Sequence, residues 1–332
     1  MLPTERIRWV DMARGLSMLA ILLFHTEKYY AGEEIIPYAY YVCNALIVFF
    51  FVSGYLIIPP NKPFSLPRKL KSIVRSIVIP YFVFTAVIAL PKALVHDDTT
   101  IQESFLRILT GHASWFIAAL IVGELLFSFL YHVTRGRLIQ LMTVCLLTYL
   151  IIAVLYHYFN LETLWSINIW CWQNAFMMLI FIFLGHIYHR KEQQLSFIHQ
   201  PYTIIFAGIL LLLLKYWESK SDYLFTLQPI HVSSFLILMI DGLLGILFIV
   251  GLCRHLPDIK PIQWTGAHSL VYYFICGGVP LMVCSLLCKA GYPYEGQYYL
   301  VMIAFLMVYV LSTIITWLIY HFILNFYFKR KK

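Results

Sequence analysis

Three ionisable residues in the first apolar segment have a spacing that suits acid–base chemistry. Arg14 and His25 are eleven residues apart, so on a helix turning 100° per residue they point in directions only about 20° apart. They share a face and are separated by about 16 Å along the axis. Asp11 precedes Arg14 by three residues, within reach of a salt bridge. A histidine that is neutral near pH 7 can remove a proton from a hydroxyl group.

Two interpretations fit this spacing. In the first, Arg14 extends its charged group to one membrane interface and His25 ends the helix at the other. In the second, both side chains line a polar seam that connects the two sides of the membrane. The spacing favours the second interpretation, because one line of the helix face carries both residues.

A basic stretch between the second and third apolar segments suits a ligand rich in phosphate groups. Four positive charges fall within eight residues, and cationic side chains bind phosphate through charge-assisted hydrogen bonds. They are Arg68, Lys69, Lys71 and Arg75. The alternative is that these charges only set the orientation of the chain in the membrane.

Further polar residues lie in or beside apolar segments. The second segment ends in Ser53 and Gly54, which are small enough to let helices approach closely. Glu124 and Asp241 lie near the middle of their segments. We expect both to face the interior and to pair there with a cation or a hydrogen-bond donor that the sequence does not identify.

The composition predicts the elements that must position these residues. Of the 332 residues, 61% are hydrophobic and only 12% are charged, against roughly 25% in a soluble domain. This excludes a soluble globular enzyme and predicts an all-α polytopic membrane protein that forms a single domain over residues 1–332. Segments of about 20 apolar residues can span a bilayer, and ten are predicted. They cover residues 9–29, 40–58, 73–90, 115–131, 138–156, 171–187, 202–217, 232–252, 270–287 and 298 to about 328.

The basic residues predict the orientation. If the chain begins in the cytoplasm, 18 of the 24 Lys and Arg residues fall at the inner side, as the positive-inside rule requires. Both termini are therefore predicted to be cytoplasmic, in the cytoplasmic membrane of a cell. This distribution accounts for the net charge of +8 without nucleic acid. The cysteine and histidine spacings match no zinc motif, so no metal is expected.

Five motifs occur in the order found in one family of membrane enzymes. They are Arg-x10-His in the first segment, Phe-Phe-x-x-Ser-Gly in the second, a basic stretch leading to proline, Trp-Phe opening the fourth, and Gly-x-x-Ser-Leu-x-x-Tyr opening the ninth. Over about residues 6–328 the chain resembles the acyltransferase family 3 membrane proteins. These are ten-helix enzymes that move acyl groups, usually acetyl, from cytoplasmic acyl-CoA to sugars of bacterial surface polymers.

The resemblance implies roles for individual residues. His25 matches the family's essential histidine, and Arg14 matches its paired arginine. Arg68, Lys71 and Arg75 fall where the family has a basic Arg-x-x-Arg segment that meets the acyl donor, with lysine here at the second position. A departure lies in the ninth segment, where many relatives carry a histidine seven residues after the serine. Here a cysteine, residue 276, occupies that position.

The residues and the resemblance together predict an acetyl-CoA-dependent O-acyltransferase. His25 is expected to remove the proton of a sugar hydroxyl as it attacks the thioester, or alternatively to carry the acyl group itself. Asp11 would hold Arg14, which positions the donor, and the basic stretch would hold the nucleotide. Candidate substrate-binding residues are Ser53, His112, Trp115, Glu124 and, in the outer loops, Trp165.

The expected partners are a sugar or surface-glycan acceptor, membrane lipids and glycan-assembly proteins, without nucleic acid. The identity of the acceptor and the choice of acetyl or succinyl stay open. The main alternative is a transporter or flippase for a glycan precursor, which would need alternating access and often shows repeated halves or broken helices. A non-catalytic membrane scaffold would leave the buried arginine and histidine unexplained.

Overall fold

The computed structural model describes residues 6–58, 63–95, 100–159, 168–221, 223 and 225–324, and these are helical almost throughout. The α-helices are α1 (Arg8–Ala31), α2 (Tyr38–Ile57), α3 (Leu66–Ile73), α4 (Ile79–Val95), α5 (Ile101–Leu109), α6 (Trp115–Val133), α7 (Leu138–Phe159), α8 (Trp172–Arg190), α9 (Pro201–Lys220), α10 (Phe235–His255), α11 (Lys260–Ala267), α12 (Ser269–Ile275), α13 (Gly278–Lys289) and α14 (Tyr298–Leu318). Strands β1 (Phe225–Leu227) and β2 (Ile230–Val232) form an antiparallel hairpin.

The all-α membrane architecture predicted from composition is confirmed. Within the described ranges, eight helices are long and apolar enough to cross a bilayer, and the bent pair α12–α13 makes a ninth if it is one span. α1 is not among them, because Asp11, Arg14, His25 and Glu27 make it less apolar. The total of ten spans and the cytoplasmic position of both termini stay predictions.

The ninth predicted segment is not one straight helix. α12 ends at Ile275 and α13 begins at Gly278, and the two axes are bent by 49°. Gly277 and Gly278 lack the side chains that would stiffen the backbone, and sharp bends of this kind occur at glycine and proline. The tenth segment is α14, which continues as a π-helix over Ile319–Leu324. Its predicted extension to residue 328 lies outside the described residues.

The basic stretch is helical and not a loop. Residues 66–73 form α3, with Pro67 in its first turn, where its missing N–H costs nothing. A π-helical segment, Val74–Val78, then joins α3 to α4. The connection between α4 and α6 also contains a helix that was not predicted. This helix, α5, begins with a capping box between Thr100 and Glu103.

The chain divides into two compact units. The first unit comprises residues 1–45 and 252–332, and the second comprises residues 46–251. In the first, α1 packs against α11, α13 and α14. In the second, α8 packs against α6 and α7, α3 packs against α6, and α4 packs against α5.

Glycines allow a close helix contact in the second unit. A Cβ atom at Gly54 would lie 1.9 Å from the carbonyl oxygen of Ile182, and one at Gly185 would lie 1.9 Å from that of Phe51. α2 and α8 therefore cross backbone to backbone, as small residues allow in membrane helices. The sequence prediction that Gly54 permits a close helix approach is confirmed.

Candidate active site

One group of candidate site residues lies on α1 in the first unit. Asp11, Arg14 and His25 are all half-buried, and the unbroken helix places Arg14 and His25 about 16 Å apart along its axis. Arg6, Arg14 and His268 lie close enough to Asp11 to interact electrostatically with its carboxylate. The expected salt bridge of Asp11 with Arg14 stays a prediction.

The helix face between Arg14 and His25 is apolar. Met18 and Ile21 occupy it, and they are only 0% and 2% exposed. The two ends of the face are polar and its middle is apolar, which departs from the predicted polar seam.

The imidazole of His25 lies between two aromatic rings. It stacks on Tyr29 with the centroids 6.0 Å apart, and Phe24 meets it edge-on at 5.5 Å. Among the described residues, neither ring nitrogen has a hydrogen-bond partner. The rings restrict the orientation of the imidazole and leave its nitrogens able to bind a substrate hydroxyl.

Close backbone packing fixes the N-terminal half of α1. A Cβ atom at Gly15 would lie 2.1 Å from the carbonyl oxygen of Ile262, and one at Gly266 would lie 1.8 Å from that of Asp11. α11 therefore touches α1 beside Arg14. At the start of α1, Arg8 pairs with Asp258 at 2.6 Å.

Within the second unit, three other predicted residues lie close together. The Ser53 hydroxyl donates a 2.6 Å hydrogen bond to Oε1 of Glu124, and Nζ of Lys69 lies 3.3 Å from its Oε2. These residues belong to α2, α6 and α3. Glu124 therefore has both kinds of partner that were expected: Ser53 is the hydrogen-bond donor and Lys69 is the cation. Lys69 differs from its basic neighbours because its charge is matched by this carboxylate.

The other three basic residues remain exposed. Arg68 and Lys71 are one turn apart on α3, and Arg75 follows about one further turn along in the π-helical segment. Residues spaced by three and four lie along one side of a helix. This side can meet a phosphate group from several directions, as the predicted donor site requires.

His112 and Trp115 lie away from Glu124. Both are half-buried, and Nδ1 of His112 lies 2.9 Å from the Thr110 hydroxyl. Trp115 opens α6, so the nine residues to Glu124 separate the two by about 14 Å. Of the candidate substrate residues, the structure brings together Ser53 and Glu124, and Trp115 lies apart from them. Trp165 lies outside the described residues.

A comparison with known families decides the class of the protein. The model of the acyltransferase domain of family 3 matches residues 7–321, nearly the whole chain. The chain belongs to acyltransferase family 3. Neither a curated protein nor a solved structure matches it. As a family 3 protein it is a membrane acyltransferase, which confirms the resemblance inferred from the five motifs.

Sequence reasoning missed two buried polar groups of this family 3 protein. Glu27, two residues after His25, is fully buried and accepts hydrogen bonds from two tyrosines. Lys215 lies 2.8 Å from Asp241 and 3.2 Å from Glu218, and all three are buried. The position of Lys215 near the end of a predicted span gave no sign that it is buried. The available signal was Asp241, because a carboxylate in mid-span requires a cation.

Proposed function

We propose that this family 3 protein transfers an acyl group, normally acetyl, from cytoplasmic acyl-CoA to a hydroxyl of an extracytoplasmic sugar or surface glycan. The observation that carries the proposal is the environment of His25. Its imidazole is restrained by two aromatic rings, and neither nitrogen bonds to the described residues. Such a group is oriented and available to take a proton from a substrate hydroxyl.

Three exposed cations support acyl-CoA as the donor. Arg68, Lys71 and Arg75 present their charges along one side of α3 and the segment that follows it. Acyl-CoA carries several phosphate charges on its nucleotide and a long, thin arm that ends in the thioester. We assign the nucleotide phosphates to these three residues. Lys69 is not assigned to the nucleotide phosphates, because Glu124 already compensates its charge.

The reaction follows from one proton transfer. His25 removes the proton of the acceptor hydroxyl while the oxygen attacks the carbonyl carbon of the thioester. A carbon–oxygen bond forms, the carbon–sulfur bond breaks, and the imidazolium returns the proton to the CoA sulfur. General-base assistance of this kind typically contributes 10²–10⁴-fold to the rate. Arg14 positions the donor, and Asp11 orients Arg14 through the charge interaction between them.

The topology forms part of the same proposal. Both termini are assigned to the cytoplasm and the chain to the cytoplasmic membrane, because the basic residues concentrate at one side of the predicted spans. Donor and acceptor are then supplied from opposite sides of the bilayer.

Turnover by purified protein tests the proposed activity. The detergent-solubilised chain is incubated with acetyl-CoA, and free CoA is measured with and without a mixed extract of bacterial glycans. Release that depends on the extract, with acetyl groups found on the glycan, is expected. Glycan binding without any CoA release would instead favour the transporter. Acylated His25 trapped in the absence of glycan would replace direct transfer with a covalent intermediate.

A further inference from the structure

A fully buried carboxylate lies beside the proposed general base. Glu27 is 0% exposed and accepts three hydrogen bonds. The Tyr298 hydroxyl donates at 2.6 Å, the Tyr41 hydroxyl at 3.3 Å, and the backbone N–H of Ile36 at 3.3 Å. Every donor is neutral, and in the described part of the chain no cation lies within ion-pair distance of Glu27.

Because Glu27 is buried, its hydrogen bonds are needed to offset the cost of removing the carboxylate from water. A carboxylate removed from water is costly unless hydrogen bonds satisfy it, and bonds to an ionised acceptor are roughly twice as strong as neutral ones. The donors come from three places: the first turn of α14, the first turn of α2, and the connection between α1 and α2. All three converge on the outer end of α1.

A second tie acts at the same end of α1. The Tyr30 hydroxyl donates a 2.7 Å hydrogen bond to the backbone carbonyl of Tyr292, in the connection between α13 and α14. Tyr30 is buried with Cys284, Val301 and Ala304. With the glycine contact at Gly15, α1 is held at two levels about 18 Å apart. His25 lies near the outer level.

Helix geometry separates the roles of Glu27 and His25. Two residues along a helix correspond to 200°, so the two side chains point to nearly opposite sides of α1. Glu27 is therefore placed to act on His25 through the backbone and not on the reacting atoms. Side chains extend to about 5–6 Å from the helix axis, so a rotation of about 10° moves them by roughly 1 Å. A misplacement of this size can lower a rate by about 10²-fold.

We propose that Glu27 is a positioning residue: the hydrogen bonds from Tyr298 and Tyr41 fix the rotation of the outer turn of α1 and so hold the His25 imidazole in register with its substrates. This inference rests on the proposed role of His25. It assigns Glu27 and the two tyrosines a function in the rate of the chemical step, with no contact to donor or acceptor.

Conservative variants of Glu27, Tyr298 and Tyr41, which together form a clamp on the outer turn of α1, test this proposal. Tyr298→Phe removes only the 2.6 Å donation, and Glu27→Gln keeps an acceptor oxygen that Glu27→Ala lacks. The matched control is Tyr299→Phe, which alters the neighbouring, exposed tyrosine of α14. The measurements are kcat and the KM for acetyl-CoA, with the glycan extract that supports turnover. Monodispersity and the thermal unfolding midpoint in detergent show which variants are folded.

The expected result is a separation of kcat from KM. Tyr298→Phe should lower kcat by about 10- to 100-fold while the KM for acetyl-CoA stays within about twofold and Tyr299→Phe behaves as the wild type. Glu27→Gln should keep more activity than Glu27→Ala. If folded Tyr298→Phe and Glu27→Gln both turn over at the wild-type rate, the positioning role is wrong.

The same assay separates this inference from the proposed function. If replacing His25 with alanine leaves full turnover, the proposed function fails, whatever the clamp variants do. If that replacement abolishes turnover and the folded clamp variants lose none, only the positioning role fails. A Tyr298→Phe variant that raised the KM for acetyl-CoA with kcat unchanged would also overturn it, because donor binding would then be the affected step.

Discussion

Replacing Gly266 with alanine tests whether the contact between α1 and α11 sets the position of Asp11 and Arg14. A Cβ atom at Gly266 would lie 1.8 Å from the carbonyl oxygen of Asp11, whereas ordinary van der Waals contact begins at 3.4 Å. The difference, 3.4 − 1.8 = 1.6 Å, is the distance by which the two backbones must separate. Backbone atoms on both sides leave no flexible side chain to absorb it.

The separation predicts losses in both stability and turnover. Overpacking a close contact costs about 1–3 kcal/mol, and a shift of about 1.6 Å beside Arg14 should lower kcat/KM by up to about 10²-fold. The assays are the thermal unfolding midpoint in detergent and acetyl-CoA turnover. The control is Lys260→Ala, at an exposed position in the first turn of α11. Equal stability and turnover in the two alanine variants would refute the reasoning.

Three further outcomes follow from the buried charges and the exposed surfaces. Lys215→Met leaves Asp241 without this cation and should destabilise the protein by about 3–5 kcal/mol. The thermal unfolding midpoint is compared with that of the exposed-site control Lys220→Met. Equal midpoints would contradict the buried ion pair. Lys71→Met should raise the KM for acetyl-CoA with little change in the unfolding midpoint. Lys69→Met should instead lower stability by about 1–3 kcal/mol through the lost bond to Glu124. A KM effect confined to Lys69→Met would show that Lys69, and not Lys71, binds the donor. Cys288 is the only exposed cysteine in the described residues, and a membrane-impermeant maleimide should label it in intact cells. Labelling only after lysis would contradict the predicted position of Cys288, after the ninth span, on the outer side of the membrane.

Hydropathy located most of the membrane helices because each must present apolar side chains over nearly its whole length. The predicted segments 40–58 and 138–156 became α2 and α7 with bounds changed by only a few residues. Breaks and short elements could not be predicted in the same way. The bend at Gly277–Gly278 interrupts a segment that is apolar on both sides. The hairpin of β1 and β2 has three residues in each strand, too few for an alternating pattern to stand out.

The site was predictable where chemistry depends on one helix and hidden where it depends on several. Arg14 and His25 could be paired from spacing alone, since both belong to α1. The partners of Glu124 lie on α2 and α3, at sequence separations of 71 and 55 residues, and only folding brings them together. Glu27 was hidden for the same reason: its principal donor, Tyr298, is 271 residues away.

Acetyl-CoA turnover by His25→Ala tests the central claim most directly. The exposed His132, in the last turn of α6, supplies the matched control His132→Ala. Wild type and His132→Ala should release CoA at equal rates in the presence of glycan acceptor. Folded His25→Ala should be slower by at least about 10²-fold. Full turnover by folded His25→Ala would contradict the account.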